Sequence, residues 1–309
     1  MGGEPCLAVL LLAVGLDLAL GEPPNRWHPV AWIGRALARG RRSAPGGPPA
    51  LSFALGAVLV IGVAGAAAGA ATGLVRATTG IPLVGILVQA WLLKCAFSVR
   101  ELFGAVAAVE AALAAGDLEG ARRSLGRDLV SRPTDDLGAG LVASGAVESL
   151  AENFTDSVVA PICFFLVGGL PAVWAYRVIN TADAMIGYRD AELEYLGKVA
   201  ARLDDLLNLV PARVAAVLLV AAGALVGGRG RAAWRTLWRD AGETASPNAG
   251  WTMAAMAGAV GARLEKPGHY RLGEGALPDT AEIACARSIA RGAAALALAA
   301  AAFVCVAFR

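Results

Sequence analysis

The chain has 309 residues, of which 57% are hydrophobic and only 17% are charged, and its mean hydropathy is +0.60. Soluble domains carry about 25% charged residues, so this composition, with its long apolar runs, predicts a polytopic membrane protein. The net charge is +2 and no basic stretch is interleaved with aromatic residues, which excludes nucleic acid as an expected partner.

A membrane-spanning helix needs about 20 mostly apolar residues. Six stretches approach that length, namely residues 5–20, 51–75, 81–98, 158–176, 212–228 and 292–308. The first has no basic segment before it and is interpreted as a retained span rather than a cleaved signal peptide. The sequence shows no strand pattern and no internal repeat. We therefore predict an all-α, polytopic helical membrane protein with about four to six transmembrane helices plus amphipathic and cytoplasmic helices, with residues 1–309 forming a single integral-membrane domain.

Other helices are predicted between the spans. Residues 99–115 are typical of an amphipathic helix that continues the third span, and 118–131 of another short helix. Residues 229–240 carry Trp234 and Trp238 beside several arginines, which favours an interfacial helix. These segments supply the non-spanning helices of the predicted fold.

Lysine and arginine are concentrated in three segments between the spans, 21–48, 99–157 and 229–291. Because short cytoplasmic loops are rich in these residues, we expect the three segments to face the cytoplasm from the cell membrane. Segment 177–211 would then lie outside, although it also carries basic residues. We interpret it as folded back at membrane depth, where polar residues are tolerated if they line a protein-walled cavity.

The five cysteines, Cys6, Cys95, Cys163, Cys285 and Cys305, are far apart and form no CxxC pair. Such spacing supports neither a zinc site nor a redox motif. Four of them sit in apolar runs, where cysteine behaves as a small hydrophobic residue. We therefore predict cysteines that simply pack within helices.

The stretch LDLALGEPPNRWHPVAWIGR, residues 16–35, closes the first span. Asp17, Glu22 and His28 lie close together in it, and three prolines stiffen the connection. A lone histidine is usually structural. The rigid, polar and tryptophan-flanked setting nevertheless makes His28 a candidate functional residue.

A dense polar region, residues 148–213, lies among the apolar segments. If its first part is helical, Glu148 and Glu152 lie at i and i+4 on one face, where like charges repel. A bound cation or a basic partner such as Arg202 would offset that repulsion, and Asp156 follows one turn later. We interpret this acidic face as a site, the alternative being a solvated helix end.

Two further predicted helices in this region carry polar faces. Asn180 and Asp183 share one face of the first. The second has polar side chains on two neighbouring stripes, Lys198, Arg202 and Asp205 on one and Asp204 and Asn208 on the other. Adjacent aspartates near a membrane suit Mg²⁺, which prefers carboxylate and phosphate oxygens. A structural Arg202–Asp205 ion pair is the alternative.

Residues 246–248, Ser-Pro-Asn, are typical of a turn followed by a helix start. Backbone N–H groups at such a position bind phosphate, although the motif alone is weak. The sequence contains no GxxxxGK[ST] loop, no GxGxxG after a strand, no HExxH and no GxSxG. A nucleotide site in this chain would therefore be of a non-standard kind.

In this order, five motifs resemble the membrane-bound adenosylcobinamide-phosphate synthase family (CbiB/CobD) of cobalamin biosynthesis. They are GEPPNRWHPVAWIGR at 21–35, AVESLAENFTDSVVAP at 146–161, YRVINTADAMIGYR at 176–189, AARLDDLLNLVPAR at 200–213 and SPNAGWTMAAMAGAV at 246–260. The resemblance covers nearly the whole chain. It implies a carbon–nitrogen ligase that attaches (R)-1-amino-2-propanol or its O-phosphate to a propionate carboxylate of adenosylcobyric acid, giving adenosylcobinamide or its phosphate.

The resemblance also implies activation of that carboxylate, most simply by ATP with Mg²⁺, the corrinoid being substrate and not cofactor. The catalytic candidates are Glu148, Glu152, Asp156 and His28, and the metal candidates are Asp204 and Asp205. The substrate-binding candidates are Asn153, Asn180, Asp183, Tyr188, Lys198, Arg202, Asn208, Arg132 and Asn248.

The expected partners are adenosylcobyric acid, the aminopropanol substrate, the lipid bilayer and other late enzymes of corrinoid synthesis. An AmpE-like membrane regulatory protein is an alternative, but the NTxDxMxGY and DDxxNxxPAR patterns disfavour it. A transporter is a second alternative, and the absence of repeat symmetry disfavours that.

Overall fold

The computed structural model describes residues 3–43, 48–187 and 193–308, and most of them are helical. The elements are α1 (Gly3–Leu20), α2 (Pro29–Ser43), α3 (Pro49–Ala77), α4 (Pro82–Lys94), α5 (Val99–Ala114), α6 (Leu118–Asp128), α7 (Ala139–Phe154), α8 (Ala160–Ile186), α9 (Lys198–Leu207), α10 (Leu209–Gly227), α11 (Gly230–Asp240), α12 (Ala249–Val260), β1 (Leu264–Lys266), β2 (Tyr270–Leu272) and α13 (Thr280–Phe308). A π-helical turn, Thr155–Val159, joins α7 to α8.

Five helical segments are long and apolar enough to cross a membrane, namely Pro49–Ala77, Pro82–Ala114, Ala139–Ile186, Leu209–Gly227 and Thr280–Phe308. Pro5–Leu20 and Ala249–Val260 are shorter apolar helices. The prediction of an all-α, polytopic membrane fold is confirmed. The segment predicted as 158–176 is part of a much longer helical run than expected.

That long run is not a straight rod. Gly169 has a φ of 64°, a left-handed conformation that glycine adopts at little cost. Pro171 follows two residues later and cannot donate a helical hydrogen bond. Together they bend α8 before its polar last turns.

The chain divides into two compact units, each assembled from separate stretches of sequence. The first unit contains Met1–Ser98, Pro161–Leu207 and Ala301–Arg309, and the second contains Val99–Ala160 and Asn208–Ala300. The predicted polar region 148–213 contributes residues to both. The single-domain organisation stays a prediction.

In the first unit, α1 packs against α4, and both α2 and α9 pack against α3. Cys6 and Cys305 form a disulfide between α1 and α13. The expectation that every cysteine is only a small packing residue was therefore wrong for this pair. A separation of 299 residues leaves no local spacing signal in the sequence.

In the second unit, α12 is the central helix. It packs against α7, α10 and α11 and is buried along almost its whole length. Strands β1 and β2 form an antiparallel hairpin, and β1 lies on α7. The sequence analysis predicted no strand, because two strands of three residues are too short to show alternation.

Candidate functional site

A buried cluster of charged side chains joins α1, the loop that follows α1, and α4 in the first unit. Lys94 is completely buried, and its Nζ lies 3.1 Å from Glu22 Oε2 and 3.7 Å from Asp17 Oδ1. His28 Nε2 lies 2.5 Å from the same Glu22 oxygen. Burying a charge is costly unless an opposite charge accompanies it. Lys94 therefore compensates the carboxylates that gather at the end of α4.

His28 is engaged at both ring nitrogens. Its Nδ1 accepts the Val30 N–H at 3.1 Å, so Nε2 carries the ring proton and donates it to Glu22. Burial raises the pKa of the Glu22 carboxyl, but the His28 hydrogen bond and the Lys94 charge outweigh it and leave this pKa below its ordinary value. A substrate proton could reach His28 only after one of these bonds breaks. Its role as a proton acceptor stays a prediction.

Two of the polar faces predicted from sequence meet in the first unit. Arg177 Nη1 donates to Asn180 Oδ1 at 3.0 Å, and Asn180 Nδ2 donates to Asp204 Oδ1 at 3.2 Å. Asn180 and Asp204 lie on α8 and α9. Because Arg177 fixes which end of the amide faces α9, Asn180 orients the Asp204 carboxylate.

The basic side chains of α9 point to the surface. Lys198 Nζ lies 3.7 Å from Glu194 Oε1 and 5.3 Å from the centre of the Tyr195 ring. With 42% and 38% of the two charged side chains exposed, this ion pair contributes little to stability. Arg202 is exposed and Asp205 is half-buried. Both cations therefore remain accessible to an anionic ligand.

The last turn of α8 carries another predicted residue, Asp183, which is half-buried. Its carbonyl oxygen accepts the Gly187 N–H at 2.8 Å and closes the helix. Tyr188, predicted to bind substrate, lies outside the described residues. Asp183 thus helps to close α8 at its C-terminal end.

The predicted Mg²⁺ ligands, Asp204 and Asp205, are adjacent and half-buried on α9. Within the described ranges, no group of three or more His, Cys, Asp or Glu side chains could hold a metal ion. Mg²⁺ often uses one or two carboxylates together with substrate phosphates and keeps several waters. These donors fit an Mg²⁺ that arrives with a phosphate-bearing substrate and do not fit a resident metal.

In the second unit, Glu148 on α7 is only 4% exposed and has hydrogen-bond donors at both oxygens. Ser144 Oγ donates to Oε1 at 2.6 Å. The Tyr270 hydroxyl donates to Oε2 at 2.8 Å, and Arg132 Nη2 donates to the same oxygen at 3.3 Å. The β1 backbone joins this network, since the Glu265 N–H donates to Ser144 Oγ at 2.7 Å. Glu148 is therefore a buried carboxylate whose two oxygens are both hydrogen-bonded by protein groups.

Arg132 reaches α7 across Gly145, where an added Cβ would lie 3.5 Å from its Nη2. Arg202 was predicted as a candidate partner for the acidic face, but the ion-pair partner of Glu148 is Arg132. The Arg132 Nε is buried and has no hydrogen-bond partner among the described residues. The Arg132 side chain as a whole is 20% exposed, so a carboxylate or phosphate can still approach the guanidinium.

The acids that follow Glu148 are closer to solvent. Glu152 is exposed, and Asn153 and Asp156 are half-buried. Asn153 Nδ2 donates to the Ser149 carbonyl and hydroxyl oxygens, each at 3.0 Å, which fixes its amide. Asp156 lies in the π-helical turn, a local irregularity that is frequent at functional sites. This end of α7 combines exposed acid groups with an oriented amide.

Tyr270 was not among the predicted site residues. Burial raises the pKa of its phenol, and the charge of Glu148, its hydrogen bond and the charge of Glu152 raise it further. The phenol therefore stays a proton donor at physiological pH, and Glu152 lies within its electrostatic reach. Tyr270 is 122 residues from Glu148, so no sequence spacing could have joined them.

The SPNAGW motif forms a structural joint between α10 and α12. Arg213 Nη1 donates to Asn248 Oδ1 at 2.6 Å, and its guanidinium lies 4.5 Å from the Trp251 ring centre. Ser246 Oγ accepts the N–H groups of Asn248 and Ala249 at 3.2 and 3.3 Å. The N–H groups expected to bind phosphate are thus already capped. Asn248, predicted to bind substrate, is 7% exposed and holds Arg213.

The predicted residues fall into two groups. The first unit holds His28, Asn180, Asp183, Lys198, Arg202, Asp204 and Asp205. The second holds Arg132, Glu148, Glu152, Asn153, Asp156, Asn208 and Asn248. Sequence reasoning missed Lys94, Ser144 and Tyr270. For Lys94 a signal existed, since a lysine within an apolar span indicates a specific polar partner.

The comparisons with known proteins agree on one family. The family model described as CobD/Cbib protein matches residues 10–298. A "Cobalamin biosynthesis protein CobD" of Dehalococcoides mccartyi (strain CBDB1) is 43% identical over 273 residues, covering 88% of each chain. A "Probable cobalamin biosynthesis protein CobD" of Methanothermobacter thermautotrophicus is 45% identical over 277 residues, covering 87% of each chain. A "Cobalamin biosynthesis protein CobD" of Klebsiella pneumoniae subsp. pneumoniae is 39% identical over 259 residues, covering 82% of this chain and 81% of that protein. No solved structure matches the chain.

Proposed function

Since the chain belongs to the CobD/CbiB family and has a role in cobalamin biosynthesis, we propose that it is an amide-forming synthase of that pathway. The acceptor is a propionate carboxylate of adenosylcobyric acid. The amine is (R)-1-amino-2-propanol or its O-phosphate. The product is adenosylcobinamide or its phosphate, and ATP supplies the activation.

One observation carries this proposal, namely the arrangement at the end of α7. Arg132 is oriented by the buried Glu148 and retains a buried N–H group. Glu152 and Asp156 follow on the same helical run and are exposed or half-buried. An oriented cation beside solvent-facing carboxylates suits a reaction that joins a carboxylate to an ammonium group.

The chemistry needs two steps, because a carboxylate does not condense with an amine unaided. First, a carboxylate oxygen takes the γ-phosphoryl group of ATP, giving an acyl phosphate and ADP. The ammonium then loses one proton to a base, and the neutral nitrogen forms the C–N bond as phosphate leaves with the second proton. Mg²⁺ bound with ATP would neutralise charge on the transferring phosphoryl group.

The side chains divide these tasks by type and exposure. In the second unit, the exposed Glu152 receives the ammonium proton and Arg132 binds an anionic group. Considered by itself, the first unit has two carboxylates, Asp204 and Asp205, that suit Mg²⁺ bound to a phosphate, and Asn180 keeps Asp204 oriented. The exposed Lys198 and Arg202, also of the first unit, bind phosphate oxygens.

We also propose that the basic segments face the cytoplasm. Cys6 lies about one turn from the start of α1, and Cys305 about one turn from the end of α13. Disulfides form in oxidising compartments outside the cytoplasm. The arginines between residues 26 and 42 follow the other end of α1, and Arg287 and Arg291 lie in the first half of α13. The disulfide and the arginines thus mark opposite ends of the same two helices, which supports this orientation.

The direct test is a reaction of the purified protein with adenosylcobyric acid, either aminopropanol substrate and Mg-ATP. We expect ADP and an adenosylcobinamide product in equal amounts, and formation of neither would contradict the proposal. A deletion strain of a corrinoid auxotroph separates the synthase from a regulator or transporter. Rescue by cobinamide but not by cobyric acid fits the synthase, and rescue by either corrinoid contradicts it.

A further inference from the structure

The β1–β2 hairpin is attached to the acid-bearing helix at several points. Leu264 and Leu272, paired across the hairpin, are fully buried. The Glu265 N–H donates to Ser144 Oγ, which in turn donates to Glu148 on α7. Apolar and polar contacts therefore hold β2 in one position relative to this helix.

Tyr270, the first residue of β2, completes the set of donors around Glu148. Its hydroxyl lies 2.8 Å from Oε2, which Arg132 also contacts, while Ser144 takes Oε1. Two hydroxyl donors and a guanidinium hold this carboxylate in one orientation. With 4% exposure it also has no open side for a substrate. Glu148 is thus a good anchor.

Glu152 lies one turn further along α7, where the same helix face reaches solvent. Like charges at i and i+4 repel, and at Glu148 the Arg132 guanidinium offsets that repulsion. Burial raises the pKa of the Tyr270 phenol most, and the charges of Glu148 and Glu152 raise it further. The hairpin therefore contacts the buried acid, and the exposed acid follows one turn along the same helix.

We propose that Tyr270 is a positioning residue for the amide-forming reaction. Through its hydrogen bond to Glu148 it fixes the orientation of the α7 face that carries Glu152. This inference rests on the proposed function. In the step concerned, the ammonium nitrogen of the amine gives one proton to the Glu152 carboxylate and keeps the electron pair for the new C–N bond. Tyr270 itself neither gives nor takes a proton.

The test is Tyr270→Phe, which keeps the ring and removes only the hydroxyl. We expect kcat to fall about tenfold or more, with KM for the amine changed less than about twofold. The reason is that Glu152 loses its alignment with the substrate while substrate binding is preserved. Tyr195→Phe is the matched control, since it changes an exposed tyrosine and keeps the ring near Lys198. Wild-type kcat in Tyr270→Phe would overturn the proposal.

A double-mutant cycle separates positioning from a general loss of packing. If Tyr270 acts through Glu148, the Tyr270→Phe/Glu148→Gln protein should lose no more activity than the worse single variant. Losses that multiply would mean that the two residues act independently, which contradicts the proposal. If Tyr270→Phe does not fold, Ser144→Ala loosens Glu148 from its other oxygen, and the same drop in kcat is expected. A wild-type protein that forms no product would instead refute the proposed function.

Discussion

The two units each contain an ion cluster, and the clusters differ in what they leave accessible. In the first unit, Lys94 and Asp17 are fully buried, and His28 has both ring nitrogens engaged. In the second, Arg132 keeps a buried N–H group, and Glu152 reaches solvent one turn beyond the network. Lys94 Nζ in the first cluster also has no hydrogen-bond partner among the described residues, so the two clusters differ in the exposed acid, which only the second has.

The difference separates two uses of buried charge. A cluster in which buried opposite charges compensate one another holds chain segments together, as Lys94 does for α1, α4 and the loop at Glu22. A charge cluster beside an exposed acid can bind and react. We therefore expect substitutions in the first cluster to affect stability most, and substitutions near the second to affect turnover most.

The largest effect is expected for Glu152→Gln, which removes the proposed proton acceptor. Positioned acid–base groups contribute about 10²–10⁴-fold to rates, so product formation should fall by that factor while the melting temperature in detergent stays unchanged. Glu22→Gln removes a carboxylate from the other cluster and should lower the melting temperature more than kcat. Wild-type turnover in Glu152→Gln would contradict the assignment of the site to α7.

Lys94→Met and Arg132→Met make the same change in both clusters. Removing one partner of a buried ion pair costs about 3–5 kcal/mol, so Lys94→Met should be strongly destabilised in chemical unfolding. Arg132 is 20% exposed at its side chain and its loss should cost about 1–3 kcal/mol while abolishing turnover. Adding Glu22→Gln to Lys94→Met should restore part of the stability. Equal destabilisation by Lys94→Met and Arg132→Met would contradict the proposal that the first cluster mainly stabilises the fold and the second mainly serves turnover.

Local pattern was enough to predict much of this molecule. The apolar runs predicted the membrane helices, and helical spacing placed Glu148 and Glu152 on one face of α7. Asn180 and Asp204 were predicted on separate polar faces, and the hydrogen bond that joins them is a tertiary contact. Spacing therefore identified the right side chains but not their partners.

The missed features depend on contacts between distant parts of the chain. Tyr270 comes from a short hairpin, and only the fold brings it to Glu148. The disulfide joins residues near both ends of the chain. The proton position on His28 depends on the Val30 N–H, which becomes a donor to the ring only when α2 starts at Pro29. Each of these is set by three-dimensional packing and has no period or spacing in the sequence.

Cysteine replacement tests whether the first unit depends on more than its ion cluster. Cys6→Ser and Cys305→Ser should each lower the free energy of unfolding by about 2–4 kcal/mol, and the double variant by no more than either. Both sulfurs are fully buried, so a maleimide should label them only after the protein is denatured and reduced, with Cys95, Cys163 and Cys285 replaced by serine as background. Labelling of denatured protein that had not been reduced would contradict the disulfide.

The smallest effects concern pH, and the two clusters should respond at opposite ends of the scale. The pKa of Glu22 is lowered on folding, so its stabilisation is present above the ordinary carboxyl pKa and is lost as pH falls through the folded value. The pKa of Tyr270 is raised, so its stabilisation is present below the ordinary tyrosine value of about 10 and is lost as pH rises. In melting experiments across this range, Glu22→Gln should flatten the acid limb and Tyr270→Phe the alkaline limb. Tyr195→Phe should leave the alkaline limb as in wild type, and an unchanged limb in Tyr270→Phe would mean that Glu148 does not hold the phenol.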